Sequence, residues 1–284
     1  MIDAAILAAI RARLDRALFV PAAGYRAFTI GETDVGCLDD ARAARLAAFG
    51  PRYFHVGARR VVLDGRLDDP DARTDAIEDV VRTLRAEGAL PGWRNERYRV
   101  ANRFDERPLL HIERGAARYF GLRTWAAHVN GVAAGTMWFA RRSHAKATDP
   151  GLLDNLVAGG IPAGMTVRAA MIKEAWEEAG IDTALAGTAR AAGEVHVARA
   201  LPDGLQRETI LVHDLDVPAA FSPANQDGEA IAHRRVDLAE AARLIAVDGG
   251  DDEVTVDASV VVLDYLARHG EADAGGRLRA PDDV

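Results

Sequence analysis

Residues 159–181 read GGIPAGMTVRAAMIKEAWEEAGI, and this stretch decides both the fold and the chemistry that we expect of the chain. Its second half has the composition of a helix, and Glu177 and Glu178 follow Glu174 there by three and four residues. Side chains at those intervals lie on one helical face. Three carboxylates held together repel one another unless a positive charge lies between them, and a hard divalent cation suits that role. The spacing therefore predicts a metal-binding helix face.

A glycine-rich loop precedes this helix. Gly159, Gly160, Pro162 and Gly164 lie in the loop, and Gly180 stands where a left-handed C-cap would end the helix. A strand, a glycine loop and a helix in this order place the N-terminal amides and the positive end of the helix dipole beside a bound anion. The alternative is a solvated, glutamate-rich helix without a ligand. The loop and the cap together favour the phosphate site.

The stretch resembles the Nudix box, GX5EX7REUXEEXGU, in which U is a bulky aliphatic residue. The positions that match the box are Gly159, Glu174, Glu177, Glu178, Gly180 and Ile181. The positions that depart from it are Met165 for the early glutamate, Lys173 for the arginine and Ala175 for an aliphatic residue. The glutamates that bind metal in the family are retained. Lys173 keeps a positive charge beside Glu174 but lacks the planar fork of arginine.

This resemblance implies a hydrolase of a diphosphate linked to an organic group, with Mg²⁺ as the cofactor and Mn²⁺ as the alternative. It implies Glu174 and Glu178 as the catalytic residues. The implied metal ligands are the Gly159 carbonyl, Glu174, Glu177, Glu178 and Glu229. Glu174 would act as a ligand or as the general base, and the sequence leaves both roles open. Glu229, in the segment Asp227-Gly228-Glu229, is equally well explained by turn chemistry.

Three basic residues on the way into the box are candidates for binding the substrate phosphates. They are Arg141, Arg142 and Lys146. Basic residues of exposed loops are often merely solvated, and that alternative stays open. His128 and Asn130, near the end of an expected strand, are interpreted as hydrogen-bonded structural residues.

The resemblance extends over most of the chain, from about Phe28 to about His233. It is carried by GWRNERYRV (Gly92–Val100), HVNG (His128–Gly131), MWFARRSHAKATDPGLLDNLVAGGI (Met137–Ile161) and NQDGEAIAH (Asn225–His233). These segments look like Nudix proteins related to thiamine pyrophosphokinase, which carry an additional N-terminal domain. That likeness implies hydrolysis of thiamine diphosphate, or of its damaged oxo and oxy analogues, to the monophosphate. Two alternatives stay open: a generalist that hydrolyses NADH or ADP-ribose, and a non-catalytic module that binds a diphosphate.

Composition sets limits on the partners. The chain has 284 residues, of which 49% are hydrophobic and 27% charged, and its formal net charge is −8. This charge gives no electrostatic footprint for nucleic acid, so we expect a small-molecule diphosphate as the partner. No run of about eighteen uncharged apolar residues would cross a membrane, and the single Cys37 fits a reducing compartment. We expect a cytoplasmic protein and leave its oligomeric state open, a homodimer included.

The pattern of elements predicts two domains and a tail. Residues 1–120 read as a smaller α+β domain, residues 121–270 as the Nudix hydrolase domain, and residues 271–284 as a flexible tail. The predicted fold class is α/β, a Nudix α/β/α sandwich around a mixed sheet. In the first domain we expect an amphipathic N-terminal helix, strands over 25–30 and 35–38, a helix over 74–87 and a short helix over 113–120.

Overall fold

The computed structural model describes residues 2–271. The first part of the chain forms α1 (Ala4–Ala17), β1 (Tyr25–Ile30), β2 (Thr33–Asp39), α2 (Asp40–Ala47), β3 (Phe54–Val56), β4 (Arg60–Leu63), α3 (Pro70–Ala86), β5 (Arg97–Val100) and β6 (Leu110–Glu113). A short 3₁₀ helix, Arg114–Ala116, follows. The second part forms β7 (Arg123–Ala133), β8 (Thr136–Arg142), β9 (Leu153–Asn155), β10 (Val157–Gly160), α4 (Val167–Ala179), α5 (Thr183–Ala186), β11 (Arg190–Leu201), β12 (Gly204–Asp216), β13 (Ala230–Asp237), α6 (Leu238–Ile245) and α7 (Val256–Arg268).

The N-terminal domain is built on a four-stranded sheet with the strand order β2-β1-β4-β3. β1 pairs antiparallel with β2 and parallel with β4. Helix α3 begins at Pro70 because Asp69 caps it, accepting the Asp71 and Ala72 amides at 2.9 Å each. Its apolar stripe enters the core of this domain through Ile77, Val80, Val81 and Leu84. The predicted strands and the predicted helix are confirmed, and Cys37 is buried on β2.

Helix α1 packs with the second half of the chain rather than with the domain that its position suggests. Ile10 and Leu14 lie in the same hydrophobic core as α6 and α7. Between them Arg13, which is 3% exposed, donates to the Ile245 carbonyl at 3.0 Å and to Ser259 Oγ at 2.8 Å. The boundary after residue 120 stays a prediction, but α1 has to be placed with the second domain because its apolar stripe is buried there.

The second domain is an α/β/α sandwich around a seven-stranded mixed sheet. The strand order is β11-β12-β7-β8-β13; β7 and β12 run parallel, and the other pairs along this path are antiparallel. On one side β7 pairs with β10 through residues 126–129 and with β8 through residues 131–133. The sheet therefore divides near residue 130, and β10 carries the first glycines of the box along one branch.

Alternating side chains of β7 and β12 separate the two helical layers. The layer with α4 packs on Trp125, Ala127, Val129 and Leu211. The layer with α1, α6 and α7 packs on Ala126, Val132, Ile210 and Val212. The predicted fold class, a Nudix α/β/α sandwich with a mixed sheet behind an N-terminal domain, is confirmed.

The region between the domains differs from the prediction. Strands β5 and β6 form an antiparallel hairpin that we did not predict, with Tyr98 opposite Ile112. The helix expected over 113–120 is only the 3₁₀ helix Arg114–Ala116. Strands of only four residues have little local β signal, and β5 is half arginine, so tertiary packing decides their conformation.

Two further expectations concern the ends of the chain and membranes. The predicted tail falls almost wholly on residues 272–284, which lie outside the described residues. Within residues 2–271, no helix is long and apolar enough to cross a membrane.

Candidate active site

The box forms a strand, a loop and a helix in the predicted order. β10 ends at Gly160, and α4 starts after Thr166, whose hydroxyl accepts the Ala169 amide at 3.2 Å. The helix ends at Gly180, which has a φ of 64°. A side chain at that position would also lie 2.7 Å from the Ala224 carbonyl oxygen. Both the left-handed backbone and the close contact require glycine, so the predicted cap is confirmed.

Glu174 and Glu178 face the backbone of β10 and its loop. Glu178 is 6% exposed, and its Oε2 accepts the Ala158 amide at 2.8 Å. Glu174 packs directly on Gly159, where a Cβ atom would lie 2.5 Å from the Glu174 Cδ. Only glycine leaves space for this carboxylate. The structure thus brings together Glu174, Glu178 and the backbone of Gly159.

Two lysines pair with the carboxylates of the predicted site. Lys173 Nζ lies 3.1 Å from Glu174 Oε1 and also pairs with Glu177. Lys146 pairs with Glu229. Side chains of the protein therefore supply part of the positive charge that offsets the repulsion among the glutamates. Glu177 and Glu229 are held by lysines and are partly exposed, with 32% and 44% of their side-chain surface accessible.

Arg142 is fully engaged inside the protein. Its guanidinium donates to the Thr148 carbonyl at 2.8 Å and to Asp154 Oδ2 at 2.7 Å. Asp154 is close enough to Glu178 to raise the pKa of that carboxyl, after the larger effect of burial. Arg142 therefore orders the loop and Asp154 beside Glu178, and its donors do not point to an open phosphate position.

Arg141 is turned away from the glutamates. It donates to the Gly151 carbonyl at 2.8 Å and to Asp252 Oδ1 at 3.1 Å. Neighbouring residues of a strand point to opposite faces, so Arg141 and Arg142 could not both have faced the site. Of the three predicted phosphate-binding residues, Lys146 and Arg142 lie near Glu178. The side chain of Arg141 contacts the loop before α7 instead.

Burial dominates the electrostatics of the site. It raises the pKa of Glu178 to about 8, although the Ala158 amide and Lys146 favour the charged form. It also raises the pKa of Glu174, against the attraction of Lys173. The pKa of Lys146 is lowered, again chiefly by burial. Carboxylates in such surroundings gain from a proton or from a metal cation.

The donor chemistry fits a hard divalent cation. Within residues 2–271, no three His, Cys, Asp or Glu side chains converge in a geometry that would hold a metal by themselves. Mg²⁺, however, is usually bound by one or two carboxylates together with waters and substrate phosphates. Glu178, Glu174 and the Gly159 carbonyl match that smaller set. The observation that supports the fit is Glu178, a buried carboxylate that only the Ala158 amide hydrogen-bonds among the described residues.

Sequence reasoning missed two residues that the N-terminal domain brings to the box. The Tyr98 hydroxyl lies against Gly160, where any Cβ atom would collide with it, and Arg114 Cζ lies 3.5 Å from the same position. Tyr98 falls in one of the segments that carry the family resemblance. Arg114 has no local signal, because it is more than forty residues from the box in sequence.

A chain of buried polar groups supports the division of the sheet. His128 Nδ1 lies 2.8 Å from Asn155 Oδ1, and Asn155 donates to Asn130 Oδ1 at 3.2 Å. Asn130 donates in turn to Asp214 Oδ1 at 3.0 Å, and Arg268 holds both oxygens of Asp214. The interpretation of His128 and Asn130 as structural, hydrogen-bonded residues is confirmed.

A glycine-rich loop, a capped helix with inward carboxylates and an α/β/α sandwich are the features of a hydrolase of the Nudix class. The model of the NUDIX domain matches residues 123–257, and the model of DUF4743, a domain of unknown function, matches residues 14–124. The chain belongs to the Nudix hydrolase family. Nudix proteins generally use divalent metal cations, and as a member this protein is a pyrophosphohydrolase that acts on pyrophosphate-containing substrates.

Two relatives come from Arabidopsis thaliana. The chain is 38% identical over 248 residues to Nudix hydrolase 24, chloroplastic, with 86% of this chain and 67% of the relative covered. It is 37% identical over 214 residues to Nudix hydrolase 20, chloroplastic, with 74% of this chain and 56% of the relative covered. The chain thus spans about two thirds of the first relative and little more than half of the second.

Solved structures are similar to part of this chain. A crystal structure from Deinococcus radiodurans is 23% identical and covers 58% of this chain and 97% of its own, with a TM-score of 0.46. The dihydroneopterin triphosphate pyrophosphohydrolase of E. coli is 17% identical and covers 51% of this chain and 95% of its own, with a TM-score of 0.39.

Proposed function

We propose that this protein is a metal-dependent diphosphohydrolase that converts thiamine diphosphate, or its damaged oxo and oxy analogues, to the monophosphate. The observation that carries the hydrolytic part is the placement of Glu174 and Glu178 beside the backbone of Gly159, with α4 starting next to the same loop. The choice of thiamine diphosphate is supported by the resemblance of the chain to Nudix proteins related to thiamine pyrophosphokinase.

Glu178 and Glu174, with the Gly159 carbonyl, would hold Mg²⁺ or Mn²⁺. The cation would supply charge neutralisation at the phosphate oxygens and would make a water molecule more acidic. Glu178 is the stronger ligand candidate because its carboxylate is buried and fixed by the Ala158 amide at 2.8 Å. Glu177 and Glu229 would reach the cation only after leaving Lys173 and Lys146.

The protein groups perform the remaining steps. The helix N-terminus and the glycine loop bind phosphate oxygens through backbone amides. Water attacks one phosphorus atom, the bridging P–O bond breaks, and the products are the monophosphate ester and inorganic phosphate. In the alternative role, in which Glu174 does not bind the cation, it would accept the proton of that water. Burial raises the pKa of its carboxyl, which favours a general base.

The test is a panel of thiamine diphosphate, its oxo and oxy analogues, NADH and ADP-ribose, incubated with the protein in Mg²⁺ or Mn²⁺. Released phosphate and monophosphate are measured, with Glu178→Gln as the inactive control. Preferential cleavage of the thiamine compounds, abolished by Glu178→Gln, is the expected result.

Each other outcome identifies one of the alternatives. Cleavage confined to NADH or ADP-ribose would contradict the thiamine proposal and favour a generalist. Binding of diphosphates without turnover in either metal would instead indicate a non-catalytic module.

We also propose that the protein is cytoplasmic, and fractionation of cells that make the protein would test this location.

A further inference from the structure

The N-terminal domain is fastened to the catalytic loop through its β5–β6 hairpin. The Arg97 carbonyl of β5 accepts the Ala163 amide, three residues after Gly160 in the box, at 2.8 Å. A backbone hydrogen bond of this kind fixes the distance between hairpin and loop. Side chains of the hairpin that point toward the loop therefore have defined positions relative to the phosphate site.

Tyr98, the next residue, presents its hydroxyl to Gly160. The hydroxyl occupies the space that a side chain at position 160 would need, so glycine permits the approach. Tyr98 is 5% exposed, and no hydrogen bond of its hydroxyl is found among the described residues. The hydroxyl can therefore donate to a ligand at the glycine loop.

Arg114 adds a positive charge at the same place. Its Cζ lies 3.5 Å from the Cβ position of residue 160 and 5.4 Å from the centre of the Tyr98 ring. The guanidinium has five donors, and the hydrogen bond from Nη1 to Glu96 Oε2 at 2.9 Å uses one of them. The side chain is 42% exposed, and no other hydrogen bond of its guanidinium is found among the described residues.

The contrast with the other arginine of the site supports a ligand role for Arg114. The side chain of Arg142 is 16% exposed. Its guanidinium donates hydrogen bonds to the Thr148 and Asp149 carbonyls and to Asp154.

We propose that Arg114 and Tyr98 bind phosphate oxygens of the substrate, so that the N-terminal domain completes the active site. This inference rests on the proposed function, in which the substrate is a diphosphate. A guanidinium fork and a hydroxyl beside a glycine loop match the geometry of phosphate oxygens. The additional domain is thereby assigned a direct contact with the substrate rather than a covering role.

The test uses imidodiphosphate, in which the bridging oxygen is replaced by nitrogen, titrated calorimetrically into the full-length protein with excess Mg²⁺. We expect Arg114→Ala to weaken binding by about tenfold or more and Tyr98→Phe by about threefold, as lost charged and neutral hydrogen bonds. Arg114→Lys should restore part of the affinity because it keeps the charge without the fork.

Two control variants separate this role from a structural one. Arg97→Ala removes an arginine of the same hairpin that pairs with Glu78, and it should bind imidodiphosphate as wild type does. Glu96→Gln breaks the same ion pair as Arg114→Ala but leaves the arginine, so its affinity should stay within about threefold of wild type. Thermal unfolding of each variant reports whether the fold is intact.

Undiminished binding of imidodiphosphate by Arg114→Ala would overturn the inference. Equal losses of affinity in Glu96→Gln and Arg114→Ala would also overturn it, as would a wild type that does not bind imidodiphosphate. The proposed function fails separately. Wild-type protein that binds imidodiphosphate through Arg114 but hydrolyses no compound of the substrate panel would retain this site and refute the hydrolase.

Discussion

Replacement of Glu178 by glutamine should stabilise the metal-free protein while it abolishes hydrolysis. The carboxylate is 6% exposed and accepts one amide hydrogen bond at 2.8 Å. Glutamine has nearly the same shape and keeps an oxygen to accept that hydrogen bond. It removes only the buried charge, which burial makes unfavourable.

The sign and the size of the effect follow from the pKa. The folded value of about 8 lies above the ordinary value of 4.5, so the native state holds this proton more tightly than the unfolded state. The stability of the wild type should therefore fall as pH rises from about 4.5 to about 8 and stay level above. At about 1.4 kcal/mol per pH unit, this interval limits the loss in the free energy of unfolding to roughly 5 kcal/mol. We expect a loss of about 2 to 3 kcal/mol, because relaxation and water entry screen buried charges.

The assay is urea unfolding of wild type and Glu178→Gln at pH 5 and at pH 8.5, in EDTA and in Mg²⁺. The difference between the two proteins is the quantity to compare, since titration of all other groups cancels in it. In EDTA the difference should grow with pH in favour of the variant. In Mg²⁺ the wild type should regain stability, because a ligand that binds only the folded state stabilises it.

Glu177→Gln is the matched control, one residue away on the same helix. Its carboxylate is 32% exposed and paired with Lys173, so its loss should change stability by less than about 1 kcal/mol at either pH. The reasoning is refuted if the difference between wild type and Glu178→Gln is the same at pH 5 and pH 8.5, or if Mg²⁺ stabilises both proteins equally.

Two further substitutions test the packing of the site and of the first helix. Gly159→Ala would put a Cβ atom 2.5 Å from the Glu174 Cδ. We therefore expect the rate of hydrolysis to fall by about tenfold or more, while the melting temperature changes little. An unchanged kcat would show that Glu174 need not occupy this position. Arg13→Ala would leave the Ile245 carbonyl and Ser259 without the Arg13 donor. We expect the free energy of unfolding in urea to fall by about 3 kcal/mol and proteolysis of α1 to become faster. Wild-type stability would argue against docking of α1 on the second domain.

The sequence predicted those parts of the site whose cause is local. The cap at Gly180 is one of them, because a left-handed residue after a helix is specified by that residue alone, and here φ is 64°. The placement of Glu174 and Glu178 on one side of α4 is another, because it follows from helical periodicity.

The contributions that arise from tertiary packing were not predictable in this way. Arg141 and Arg142 are neighbours, and only the pairing of β8 decides that Arg142 turns toward Asp154 and Arg141 toward Asp252. Arg114 reaches Gly160 only because β5 hydrogen-bonds to the box loop at Ala163. No periodicity within one segment encodes such a contact. A residue of one domain that contacts the site of another domain can be identified only in the folded chain.

The ion pairs of the site also explain why a cation is needed to hold a diphosphate in so acidic a protein. The net charge is −8, and the lysines nearest the catalytic glutamates already neutralise carboxylates: Lys173 pairs with Glu174 and Glu177, and Lys146 with Glu229. Paired charges of this kind add little attraction for a further anion. The chain has no lysine besides these two. In the mechanism that we propose, a metal ion on Glu178 and the guanidinium of Arg114 would therefore supply positive charge to the phosphates, beside the backbone amides of the glycine loop.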